Sequence, residues 1–173
     1  MSDRTAEIES VIPPLRRFAV ALTRDRDLAD DLVQDALERA LSRWALRRPG
    51  SPLRPWLFTI LRNLFISGRR RAARDRALFD DRADGAAESD FAAAPEDAMA
   101  LREAFALLDA LPEEQREVVL LASVEGFTYD ETARIVGAPV GTVMSRLARA
   151  RRRMREAMDR PRESGGTMLK RVK

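Results

Sequence analysis

The sequence predicts an all-α protein in which two small helical domains are joined by a flexible linker. Only 8 glycines and 9 prolines occur among 173 residues, and long stretches rich in Ala, Leu, Arg and Glu favour helix over strand. No segment alternates apolar and polar residues in the manner of a half-buried strand. The stretch 82–95 is rich in Ala, Gly, Ser and Asp and lacks apolar periodicity, which is typical of a linker.

Four segments follow from this division. We expect a first domain at 1–76, a flexible acidic linker at 77–95, a second domain at 96–160 and a disordered basic tail at 161–173.

The net charge of +3 conceals a strong asymmetry along the chain. Residues 1–72 carry a net charge of +5 and residues 101–173 carry +3, whereas residues 73–100 carry −5. Two positive parts joined by a negative connector suit a polyanion that is contacted at two places. Charge alone fits two solvated domains with an acidic linker equally well, so it does not decide between these interpretations.

Three helices are predicted in the first domain, at residues 13–22, 27–46 and 55–74. Pro13 and Pro14 favour a first helical turn, where a missing N–H is tolerated, and Asp27 is a good N-cap. A loop at 47–52 that contains two prolines and a glycine separates the second helix from the third. Helical spacing gives both helices an apolar stripe. The stripes consist of Leu28, Leu32, Ala36, Ala40 and Trp44 in the second helix, and Leu57, Ile60, Leu61, Leu64 and Phe65 in the third.

Four helices are predicted in the second domain, at residues 96–110, 112–125, 128–137 and 140–158. Thr128 and Glu131 have the spacing of a capping box, in which each side chain accepts a hydrogen bond from the other residue's backbone amide. Gly137 is a typical left-handed helix stop. The run 128–153 therefore predicts a helix-turn-helix, a short capped helix followed by a tight turn and a longer basic helix.

The two sides of the last predicted helix differ in chemistry. One side would anchor the helix to the domain through Val143, Leu147, Ala150 and Met154. The opposite side carries small polar residues for close approach to a major groove and arginines for phosphates or guanine edges. Its members are Ser145, Arg149 and Arg152, flanked by Thr142, Met144, Arg146 and Ala148. The alternative is a solvated arginine-rich helix that closes a bundle, which the tight turn and the capping box make less attractive.

Three segments, LVQDALERAL, PWLFTILRN and GFTYDETARIVGAPVGTVMSRLARAR, strongly resemble the extracytoplasmic-function (ECF) group of bacterial sigma factors, in the sigma-70 family. The first two correspond to region 2 of that family and the third to region 4. The resemblance covers nearly the whole chain apart from the linker and the tail, and it is closest to the general-stress branch of alphaproteobacteria. It implies a non-enzymatic subunit of RNA polymerase that directs transcription initiation, with the linker in place of region 3.

The resemblance implies that the second helix docks on the clamp helices of the largest polymerase subunit and that region 4 meets the flap region. The exposed acidic face of that helix suits a basic partner surface. Its members are Asp31, Gln34, Asp35 and Glu38. An anti-sigma factor is a further partner that the family implies, and it would have to cover the same acidic and basic faces.

The resemblance also implies that region 2 opens the promoter −10 element and captures an unstacked base. Amide and guanidinium groups suit the base, and the arginines of the loop and of segment 69–71 suit phosphates. The expected residues are Leu46, Arg47, Arg48, Ser51, Thr59, Arg62, Asn63 and Arg70. Trp56 begins the apolar stripe, so we expect it to pack in the core rather than to stack on a base.

Region 4 of the family contacts the promoter −35 element. The resemblance implies base contacts from Met144, Ser145, Ala148 and Arg149, whereas Thr142, Arg146, Arg151 and Arg152 suit the DNA backbone. Many relatives have a basic residue where Met144 stands. Methionine donates no hydrogen bond to guanine but can contact a thymine methyl group, so this departure is expected to shift the preferred sequence.

Composition and spacing weigh against two rival functions. The chain has no cysteine and no histidine, which excludes thiol catalysis, Cys/His zinc sites and histidine acid–base chemistry. Asp30, Asp31 and Asp35 superficially resemble the magnesium-binding aspartates of isoprenoid synthases, but no second acidic cluster across a deep cavity is available. A stand-alone helix-turn-helix regulator would leave the first domain unexplained. We expect no cofactor, no metal, no secretory signal and no membrane span, and hence a cytoplasmic protein.

Overall fold

The computed structural model describes residues 2–48, 50–79 and 105–159. These residues are mainly helical and contain no strand, so the predicted all-α class is confirmed. The helices are α1 (Ser2–Thr23), α2 (Arg26–Ser42), α3 (Leu53–Phe79), α4 (Glu113–Val119), α5 (Tyr129–Val136) and α6 (Val140–Met158). A 3-10 turn at Trp44–Leu46 follows α2, and a π-helical segment at Leu120–Val124 continues α4. Residues 105–109 are also helical.

Helix α1 begins much earlier than predicted, because Pro13 and Pro14 lie inside it rather than at its start. Each interior proline removes a backbone hydrogen bond and costs about 3 kcal/mol. Continuous burial offsets this cost. Val11 is 5% exposed, although it precedes the prolines, and it extends the stripe of Leu15 and Phe18 by one more turn. The predicted start at Pro13 was wrong, because the helix is buried on both sides of the two prolines and continues through them.

Helix α2 is shifted by two residues relative to the prediction. Its N-cap is Asp25, whose carboxylate accepts from the amide of Leu28 at 2.9 Å. Leu28 is 57% exposed, whereas the predicted stripe had placed it in the core. The buried stripe consists of Ala29, Val33, Ala36 and Ala40, and its small side chains let α1 and α3 approach closely. The helix ends at Ser42 rather than near Leu46.

Helix α3 extends to Phe79, beyond the predicted end at Arg74. Leu57, Phe58 and Leu61 are fully buried on it, and Phe58 packs against Phe18 with ring centroids 5.2 Å apart. Ile60, Leu64 and Phe65 are partly buried, and Trp56 packs edge-to-face on Trp44 at 6.1 Å. Most of the predicted stripe of this helix is therefore confirmed. Most of the predicted linker and all of the predicted tail lie outside the described residues.

The second half of the chain packs around α6. Val143, Leu147 and Ala150 are essentially unexposed and meet α4 and α5. The predicted helix at 112–125 is α4 continued by the π-helical segment, in which Glu125 N donates to Leu120 O at 2.9 Å. Of the helix predicted at 96–110, residues 96–104 lie outside the described part of the chain.

The two halves contact each other directly. Helix α5 packs against α3, and Phe127 meets Phe58 edge-to-face with centroids 4.9 Å apart. The guanidinium of Arg54 lies 4.4 Å from the ring centroid of Phe127. A single apolar cluster thus runs from α1 through α3 to α6.

Candidate nucleic-acid and polymerase interfaces

The capping box and the turn fix helix α5 relative to α6. The amide of Thr128 donates to Glu131 Oε2 at 2.9 Å, and the amide of Glu131 donates to Thr128 Oγ1 at 3.2 Å. The hydrogen bond from the Thr128 backbone holds the pKa of the Glu131 carboxyl below its ordinary value. Gly137 ends α5 with φ of +66°. The predicted capping box and left-handed stop are both confirmed.

Helix α6 presents the expected polar and basic side to solvent. Its buried stripe is Val143, Leu147 and Ala150, with Met154 partly buried, as predicted. The residues expected to contact DNA that are exposed on this helix are Met144, Ser145, Ala148, Arg149, Arg151 and Arg152. Met144 is 53% exposed, so its sulfur and methyl group are available to a partner. This surface fits a major groove in chemistry, since it combines small residues with arginines.

Two residues of the predicted α6 surface are less accessible than the others. Thr142 is half-buried in the first turn. Arg146 is 18% exposed in its side chain, and its guanidinium lies 2.6 Å from Glu114 of α4. In this arrangement Arg146 is held against its own domain.

The four residues expected to face the polymerase lie together on the outer side of α2. Asp31, Gln34, Asp35 and Glu38 are all exposed, and Gln34 donates to Glu38 at 3.0 Å. Asp31 and Asp35 border a groove of about 980 Å³ that is also lined by Leu28, Leu32, Leu64 and Phe65. The face therefore combines acidic groups with accessible apolar side chains.

The loop expected to capture a base is braced from within by Arg47. The Arg47 Nε donates to the Ser51 carbonyl at 3.0 Å, and its guanidinium lies 5.2 Å from the Trp44 ring centroid. Arg47 is 15% exposed in its side chain, so it shapes the loop in this arrangement. Leu46, in contrast, is 80% exposed, and Arg48 is also exposed.

The remaining candidates for the −10 element lie on α3, and they differ in how exposed their side chains are. Asn63 and Arg70 are exposed, as expected. Thr59 donates its hydroxyl to the Pro55 carbonyl at 2.8 Å and is half-buried. Arg62, which was expected to face away from the core, is 15% exposed in its side chain and pairs with Glu117 of α4. The expectation of an outward Arg62 is wrong for this arrangement, because the second half of the chain covers it.

Buried carboxylates of the second half bind arginines of the first half, and sequence reasoning missed them. Glu117 is 3% exposed in its side chain and accepts from Arg62 Nε and Nη2 at 2.9–3.2 Å. Burial raises the pKa of Glu117, and the Arg62 hydrogen bonds partly oppose this. Glu125 is 1% exposed and accepts from both Arg17 at 3.0 Å and Arg54 at 2.9 Å. Glu117 and Glu125 lie directly before and after the run 118–124, which is apolar except for Ser123. An acid next to such a run is the sequence signal that could have indicated a buried carboxylate.

The two halves match known families separately. Residues 8–62 match the family described as the Sigma2 domain of PhyR, and residues 101–154 match the family described as Sigma-70, region 4. The ECF RNA polymerase sigma factor EcfG of Rhodopseudomonas palustris is 43% identical over 150 residues, which make up 86% of this chain and 81% of that protein. This chain belongs to the ECF group of sigma factors. The resemblance inferred from its motifs is confirmed.

Further relatives agree with this assignment. The ECF sigma factor SigM of Mycobacterium tuberculosis is 36% identical over 81% of this chain and 69% of its own length. Among solved structures, the sigma factor RpoE from Bartonella quintana in complex with the anti-sigma factor NepR is 36% identical. The superposition of the two structures has a TM-score of 0.82 and covers 94% of this chain and 100% of the Bartonella chain. Sigma factors of this group are DNA-binding transcription initiation factors rather than enzymes.

None of the helices in the described part of this sigma factor is both long and apolar enough to cross a membrane.

Proposed function

We propose that this sigma factor directs core RNA polymerase to promoters through three surfaces. The acidic face of α2 binds the clamp helices of the largest subunit, and the second domain meets the flap region. The loop after α2 and the exposed side of α3 open and capture the −10 element, and α6 contacts the −35 element. The protein acts in the cytoplasm, and an anti-sigma factor controls it. The anti-sigma complex of the Bartonella relative supports this last element.

The observation that carries the proposal is the orientation of α6. Its apolar stripe is fully buried, which fixes the opposite side outward and leaves Arg149 exposed between Ser145 and Arg152. A stand-alone helix-turn-helix regulator would need only this helix. It would not need an exposed acidic face on α2, shortly before the base-capture loop, and this face favours polymerase docking.

A randomised −35 library, transcribed by polymerase that carries each variant, tests the role of α6. Arg149→Ala is expected to flatten the preference at one base position, because a bidentate guanine contact provides about 1–3 kcal/mol of discrimination. Arg152→Ala serves as the matched control, since an exposed arginine near a phosphate weakens all sequences alike and reduces the salt dependence. If Arg149→Ala lowers yield and leaves the selected motif intact, the assignment of Arg149 to a base is wrong.

A further inference from the structure

Three acidic residues of α4 hold arginines that the proposed function assigns to DNA. Glu117 pairs with Arg62 of α3, and Glu113 pairs with Arg69 of the same helix. Glu114 pairs with Arg146 of α6 at 2.6 Å. One short helix therefore contacts DNA-facing arginines from both domains. We refer to Glu113, Glu114 and Glu117 as the acidic edge of α4.

The chemistry of these contacts imitates that of a DNA backbone. An arginine fork binds a carboxylate and a phosphate with the same donors, in the same parallel two-bond geometry. Arg62 uses both Nε and Nη2 on Glu117, so the donors that would hold DNA are occupied. Glu113 and Glu117 are one turn apart on one side of α4, about 6 Å along its axis. They present successive negative groups to α3 as a nucleic-acid strand would.

Promoter binding at two places requires this arrangement to open. The −10 and −35 elements are separated by about 25 base pairs, or about 85 Å of duplex. A compact chain of this length has a radius of gyration of about 16 Å and hence a diameter near 40 Å. Arg62 and Arg146 are bound to carboxylates one turn apart on the same helix. The two DNA surfaces therefore cannot reach both elements while the acidic edge holds them.

We propose that the acidic edge of α4 is an internal DNA mimic that keeps the free sigma factor closed. DNA phosphates and base edges replace the carboxylates on Arg62 and Arg69 when the two domains separate, and DNA then competes with Glu114 for Arg146 within the second domain. The inference rests on the proposed function, because that function assigns these arginines to promoter DNA. It goes beyond that function by giving the closed arrangement a role that needs no second protein.

The test compares two full-length variants that lose the same charge from the same domain. Glu113→Gln with Glu117→Gln breaks both acidic-edge pairs to α3. Asp130→Asn with Asp159→Asn is the matched control, since both residues are exposed and neither side chain forms an ion pair in the described part of the chain. The chain has no native cysteine, so dyes on Ser42→Cys and Glu156→Cys report domain separation by energy transfer. The same two dye positions serve the acidic-edge variant and the control. The DNA probe is a single-stranded oligonucleotide of random sequence, titrated over a range of salt concentrations without polymerase.

The acidic-edge variant is expected to show lower energy transfer than its control and to bind the oligonucleotide about tenfold more tightly. Each arginine that becomes free to contact a phosphate should steepen the plot of log affinity against log salt by about 0.7. The control variant should change neither the energy transfer nor the slope. Glu113→Gln alone breaks an exposed pair and cannot disturb the core, and it should give a change of about twofold to fivefold in the same direction.

Equal behaviour of the acidic-edge variant and its control would overturn the proposal, as would unchanged energy transfer in a folded acidic-edge variant. Transcription with core polymerase separates this failure from failure of the proposed function. If the wild-type protein starts transcription at specific promoters and the acidic-edge variant matches its control in DNA binding, the mimic is wrong and the function stands. If the variant opens and binds DNA more tightly but no polymerase complex recognises a promoter, the mimic is supported and the proposed function fails.

Discussion

Two glycines of the helix-turn-helix should respond in opposite directions to the same substitution. Gly137 has φ of +66°, and a Cβ built there meets nothing within 4 Å. Gly141 lies in α6 without a positive φ, and a Cβ there also meets nothing within 4 Å. Packing therefore contributes to neither change. Gly137→Ala places an L-residue in the left-handed region, which costs about 1–2 kcal/mol. Gly141→Ala lowers the entropy of the unfolded chain and should stabilise by about 0.5–1 kcal/mol.

Urea unfolding followed by far-ultraviolet circular dichroism measures both effects, with the wild type as reference. The reduced entropy of the unfolded alanine chain offsets part of the strain at Gly137, so the net loss should be about 1 kcal/mol. Gly137→Asn should lose less than Gly137→Ala, because asparagine tolerates the left-handed region better. A Gly137→Ala protein as stable as the wild type would refute the assignment of a strained turn. A Gly141→Ala protein that is destabilised would refute the open space assigned to that position.

Three further changes test separate parts of the molecule. Thr128→Ala should lower the free energy of unfolding by about 1 kcal/mol in urea melts. The lowered pKa of Glu131 contributes stability that is fully present above the ordinary value of 4.5 and is lost as pH falls through the lowered value. Thr128→Ala should therefore lose less stability on acidification than the wild type, and an equal loss in both proteins would contradict this role. Asp35→Lys with Glu38→Lys should weaken competition for core polymerase while leaving the melting temperature unchanged, and intact competition by folded protein would refute the docking face. Met144→Arg should add a guanine preference in a −35 selection, and an unchanged motif would mean that this side chain does not face the bases.

Signals confined to one or two helical turns predicted the second domain well. The capping box of Thr128 and Glu131, the stop at Gly137 and the buried positions Val143 and Leu147 were all read correctly from spacing. These features depend on hydrogen bonds and packing between residues three or four apart. The sequence displays such interactions directly.

Local signals were ambiguous at the start of the first domain. Asp25 and Asp27 are both good N-caps, and spacing alone did not decide between them. Spacing also placed Leu28 in the core, whereas the buried side runs through Ala29 and Val33. Pro13 fits a helix start by local rules, and the burial of Val11, which lies before it in α1, is visible only in the packed structure. Tertiary packing decided both cases.

Contacts between the domains were beyond the reach of periodicity. Arg62 and Glu117 are 55 residues apart, and Arg17 and Glu125 are 108 apart. Nothing in the spacing around either arginine distinguishes a partner on another helix from a phosphate. The candidate DNA residues were therefore identified by type, and their present partners required the three-dimensional arrangement.

Reconstitution with core RNA polymerase is the most direct test of the central claim. Purified sigma factor, core polymerase and a library of genomic promoter fragments are combined, and the transcript starts are sequenced. We expect core polymerase alone to give no specific starts, and we expect added sigma factor to yield starts that share one −35 and one −10 motif. Strong sequence-specific DNA binding without polymerase, together with no specific transcription in its presence, would contradict the central claim.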